Sequence, residues 1–79
     1  MIINRLRILI AEKETREHRS ISYREICDAT GISQNALSGL AQNKTTRYYI
    51  RTLVKLCEFF NCQVGDLLVY IPSEPDEVP

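Results

Sequence analysis

The 79-residue chain contains no long apolar run: Met1 to Ile3, Leu6 and Ile8 to Ala11 are interrupted by Asn4, Arg5 and Arg7. That stretch is too short and too charged for a signal peptide or a membrane-spanning helix, so no membrane role is expected. Paired cysteines are lacking as well. Cys27, Cys57 and Cys62 are odd in number and show no C-x-x-C spacing of the kind zinc and redox sites use. Thiols serving as small core residues in a reducing cytoplasm fit this pattern. His18 is the single histidine and stands in a charged stretch with no thiol or acid at catalytic spacing. Neither an enzyme, a metal centre nor a cofactor is therefore expected. Net charge is also missing, since ten Lys and Arg balance ten Asp and Glu. At first sight this disfavours a polyanionic partner, but the charges are unevenly placed. All ten basic residues lie at or before Lys55 with five acids among them, giving +5, and the other five acids follow it, giving −5. A basic working face and an acidic end are the reading of that asymmetry.

With 44% apolar and 25% charged residues, the chain has the composition of a folded globular domain. A chain this short buries only about 60% of its unfolded surface, so one core is the ceiling. The expected organisation is a single domain over residues 1–71 and a disordered acidic tail over 72–79, where prolines and acids replace apolar residues. Ile2 or Ile3, Leu6, Leu9 and Ile10 form a helical stripe over residues 2 to about 17, although the β-branched start also suits a short strand. Glu14 to Ser20 either prolongs this helix or forms a loop, with fraying expected near His18. Ile8 falls off the stripe and is expected at the surface.

Ser22 and Glu25 have the spacing of a capping box at the start of a second helix, with Tyr23, Ile26 and Cys27 on its inner side. Gly31 suits a left-handed helix end, and Ser33 is a second N-cap just beyond Ile32. The third helix runs from about Gln34 to Gln42. At 100° per residue, Ala36, Leu37 and Leu40 group on one side and Gln34, Asn35, Ser38 and Gln42 nearly opposite. The outer side carries amides and a hydroxyl where a helix selected only for solubility would carry Lys and Glu. A fourth helix uses Ile50, Leu53, Leu56 or Cys57, and Phe60, and a short fifth one starts near Gly65 and Asp66. Tyr48 and Tyr49 read as packing residues.

Two short helices joined by a tight glycine-containing turn make a helix-turn-helix. The segment Ser22 to Ser38, with Ser22, Ile26, Cys27, Gly31-Ile32-Ser33 and Leu37-Ser38 as matching positions, resembles the Cro/C1-type helix-turn-helix family, also called XRE. The resemblance continues through Asn43-Lys44, Thr52-Leu53, Lys55-Leu56-Cys57 and Val64-Gly65-Asp66-Leu67-Leu68 to about Ile71. It implies an all-α, lambda-repressor-like bundle of about five helices that binds double-stranded DNA, regulates transcription and works as a homodimer. An interaction module with a protein partner, such as an antitoxin, is the alternative. Three positions depart from the family pattern: Tyr23 replaces a common glutamine, Ala41 a common acid and Asn43 a common glycine.

Within that frame Gln34 and Asn35 can pair bidentately with adenine, and Ser38 and Gln42 complete the expected base-reading set. The expected phosphate contacts are Tyr23, Arg24, Ser33, Asn43, Lys44, Thr45, Thr46 and Arg47, which position the protein without reading sequence. Ser33 belongs to this set because the free N–H groups at a helix start favour an anion.

Overall fold

The computed structural model describes residues 1–45 and 47–72. Thr46 lies outside the described residues, as does the expected acidic tail beyond Pro72. The elements run β1 (Ile2–Asn4), α1 (Leu6–Glu17), α2 (Tyr23–Thr30), α3 (Gln34–Ala41), α4 (Ile50–Phe60), α5 (Val64–Leu67) and β2 (Leu68–Tyr70). Five helices thus appear among the described residues, as expected. They enclose one core whose fully buried centre is Leu6, Ile26, Leu37, Leu56 and Leu67, one from each helix. Burying a side chain of this size is worth about 1.5–3 kcal/mol, so the five helices hold one another in place.

Each helix boundary has a local cause. His18 ends α1 in a left-handed conformation, φ 55°, close to the expected fraying point. Ser22 Oγ accepts the Glu25 N–H at 3.1 Å, as expected. Only half of the anticipated capping box forms, because the Glu25 carboxylate turns to Arg19 at 2.7 Å instead of back to the helix start. Gly31 takes φ 78° and donates its N–H to Cys27 C=O at 2.8 Å. A Cβ there would meet nothing within 4 Å, so the backbone angle alone calls for glycine. Inside the turn, buried Thr30 donates to Ile26 C=O at 2.6 Å and accepts the Ile32 N–H at 3.3 Å.

Three expectations need correction. Of the two readings of the start, the strand is the one found, and Leu68–Tyr70, assigned to no strand beforehand, is its partner. The strands pair antiparallel in the register Ile2↔Tyr70, Ile3↔Val69 and Asn4↔Leu68. Ile3, Val69 and Tyr70 favour extended backbone, but a three-residue strand has too little pattern to register before its partner is known. Ile50 is 75% exposed, so the α4 stripe is Leu53, Leu56 and Phe60. Tyr48 packs on the core as expected, whereas Tyr49 is 65% exposed.

Candidate nucleic-acid interface

Helix α3 is set by three constraints. At its start Ser33 Oγ accepts the Ala36 N–H at 3.1 Å. Along its inner side Leu37, Leu40 and Ala41 are buried. At its end Asn43 adopts the left-handed conformation, φ 55°, while Asn43 N–H bonds Leu40 C=O and Lys44 N–H bonds Gly39 C=O, both at 3.0 Å. This pair of bonds is a Schellman turn, and asparagine is the residue after glycine that best tolerates its left-handed position. The departure from glycine at position 43 is therefore absorbed without loss of the turn.

A second feature at this end was not legible beforehand. Asn4 of β1 is buried, and its amide donates to Leu40 C=O at 2.6 Å and to the Tyr48 hydroxyl at 3.4 Å. Its oxygen accepts the Leu6 N–H at 3.2 Å. The Asn43 side chain answers by accepting Asn4 N–H at 2.8 Å and donating to Asn4 C=O at 3.5 Å. Asn43 thus occupies the outer backbone edge of β1 and fastens the end of α3 to the ribbon. Expected as a phosphate contact, Asn43 is exposed, and its side chain makes these two bonds to Asn4.

The outward side of α3 is open. Gln34, Asn35 and Gln42 are exposed and Ser38 is half-buried. Gln42 donates its amide to Ser38 Oγ at 3.2 Å, so these two already form a pair. Ala36, expected inside, is exposed, because on the helical wheel it lies about 40° beyond Leu40, at the edge of the buried arc. It lines an open cleft of about 370 Å³ together with Leu40, Lys44, Arg47, Tyr49 and Thr52. Ala36, Tyr49 and Thr52 had not been singled out for this surface, since only the approach of α4 to α3 brings them together.

The cations around this face are Arg24, Lys44 and Arg47, all exposed, while Thr45 is half-buried. Tyr23 is half-buried and packs on the core. Glu25, in the first turn of α2, is held below the usual carboxylate range by its hydrogen bond to Arg19, so its charge is already met. Internal packing does not require glycine at position 39: a Cβ there would stand 3.5 Å from Thr45 Oγ1, an ordinary contact. Among the described residues, no group of three His, Cys, Asp or Glu is placed to hold a metal ion, and no helix is long and apolar enough to cross a membrane.

Comparison with known proteins agrees with this geometry. A family model described as the Cro/C1-type HTH DNA-binding domain matches residues 5–73. The crystal structure of a protein from Bacteroides fragilis, named for an inferred DNA-binding role, superposes with a TM-score of 0.68 at 29% identity, covering 87% of this chain and 100% of that one. No curated protein matches.

Proposed function

The chain belongs to the Cro/C1-type helix-turn-helix DNA-binding family, and from that premise we propose that it reads duplex DNA with α3 in the major groove and regulates transcription. The observation that carries this reading is the exposed amide side of a helix capped at both ends and turned away from its buried leucines. Gln34 and Asn35, in the first turn, meet base edges, with the paired Ser38 and Gln42 following along the groove. The start of α3 at Ser33 receives a backbone phosphate. Lys44, Thr45, Thr46 and Arg47 grip the backbone beyond the far end, with Arg24 and the Tyr23 hydroxyl contributing from α2. Asn43 serves that grip by holding the turn that presents Lys44. Two copies bind a site of matching two-fold symmetry.

Selection of bound fragments from a genomic pool tests the proposal. A half-site pattern should emerge and should be lost when Gln34 and Asn35 become Ala. Lys44→Ala or Arg47→Ala should weaken all sequences alike, lowering the slope of log affinity against log salt by about one unit each. Absence of any enriched sequence at low salt would overturn it.

A row of exposed apolar residues, Ile50, Val54 and Val64, favours a second reading in which a protein partner also binds, as in an antitoxin. Retention of a specific protein by the immobilised chain, lost on Ile50→Lys or Val54→Lys, would support it.

A further inference from the structure

Two of the three cysteines meet where α4 ends. Asn61 closes that helix in the left-handed conformation, φ 52°. Cys62 N–H then donates to Cys57 C=O at 3.0 Å, and Asn61 N–H to Glu58 C=O at 3.4 Å. This is again a Schellman turn, and in such a turn the side chains at its two outer positions come into contact. Here those positions are Cys57 and Cys62. Both are partly exposed and line one shallow groove between Val54 and Val64. Burial first, and then the adjoining Cys57 thiol, push the Cys62 thiol up to about 11; Asp66 adds to the rise and Arg5 opposes it. Cys27, on α2, does not line the groove.

We propose that Cys57 and Cys62 form a reversible intramolecular disulfide by exchange with small aliphatic disulfides. One cysteine thiolate attacks a sulfur of the small disulfide, making a mixed disulfide and releasing one small thiolate. The second cysteine thiolate attacks the protein sulfur of that mixed disulfide and expels the other. One protein S–S bond replaces the small one, the two cysteine sulfurs are oxidised, and the two cysteine protons leave on two small thiols. The turn favours the second step because it already holds the attacking sulfur beside its target. Cys62 is a poor leaving group at its raised pKa, so the bond resists reduction at that sulfur. The spacing of four intervening residues differs from the C-x-x-C of familiar redox sites, which is why the pair is invisible until the turn is seen.

The test uses the whole reduced chain in glutathione buffers of rising oxidised fraction, quenched in acid, alkylated and weighed. Against the reduced chain, which takes up an alkyl group at every cysteine, the oxidised monomer should be alkylated at Cys27 alone and weigh about 2 Da less than that single addition predicts, the two hydrogens lost in closing the bond, with full reversal by excess reduced thiol. Cys57→Ser and Cys62→Ser should each accumulate a mixed disulfide with glutathione at the remaining cysteine of the pair. Cys27→Ser should close the bond as readily as the unaltered chain. Stable mixed disulfides in the unaltered chain, a bond to Cys27, or disulfide-linked dimers as the main product would overturn the proposal.

Discussion

Asn4 and Asn43 on one side, and Gln34 and Asn35 on the other, are the same functional group put to opposite uses. The first pair is joined by bonds between the Asn43 side chain and the Asn4 backbone, and the buried Asn4 amide also holds Leu40 C=O and the Tyr48 hydroxyl. The second pair is exposed on the first turn of α3. An amide with its partners inside the chain stabilises the chain, whereas one exposed to water keeps its donors and acceptors for something outside. The clamp is the reason the open pair has a defined direction, because it fixes the far end of the helix that carries them.

The sharpest way to break this contrast is Asn4→Ala. It removes the side-chain bond that ties Leu40 C=O at the end of α3 to β1 and leaves the Leu6 N–H and the Tyr48 hydroxyl without that partner, while the Asn43 bonds to the Asn4 backbone remain, so stability should fall by about 2–4 kcal/mol in denaturant unfolding. A loss below about 0.5 kcal/mol would mean that the clamp does not hold the helix. Gln34→Ala and Asn35→Ala should do the reverse. Each should cost about 1–3 kcal/mol in binding to the preferred DNA site, with unfolding changed by no more than about 0.5 kcal/mol. A stability loss as large as that of Asn4→Ala would erase the distinction.

Ser33→Ala sits between the two regions, since the hydroxyl caps the same helix that reads. About 1 kcal/mol of stability should be lost, measured by the same unfolding curves. The smallest effect concerns the knot that ends α1. Hydrogen bonds from Lys13 and then Arg19 hold the Glu17 carboxyl below its usual range, and Arg19 does the same for Glu25. Carboxyls lowered in the folded state stabilise it above the ordinary carboxylate range and lose that contribution as pH falls through the lowered values. Arg19→Ala should therefore lower the melting temperature slightly near neutrality, as expected of exposed ion pairs, and converge with the unaltered chain in acid, so that the acid side of the profile is flatter.

Much of this was legible along the chain. Ser22, Gly31 and Ser33 marked helix boundaries because capping is local, decided within three or four residues. Leu37, Leu40 and the exposed amides followed from periodicity. Ala36 and Ile50 were misjudged because small or terminal residues at the edge of a stripe are buried only if a neighbouring element covers them, and both stay exposed among the described residues. The β1–β2 ribbon stayed hidden because its strands of three residues are separated by most of the chain.

By itself the order of residues determined the helix-turn-helix and the chemistry offered on α3, since both depend on contacts within a few positions. Tertiary structure alone decided that Asn4 meets Asn43 and that the cleft beside Ala36 is lined by Tyr49 and Thr52. Those contacts join elements remote in sequence, and no local pattern encodes a partner that only the folded core brings within reach.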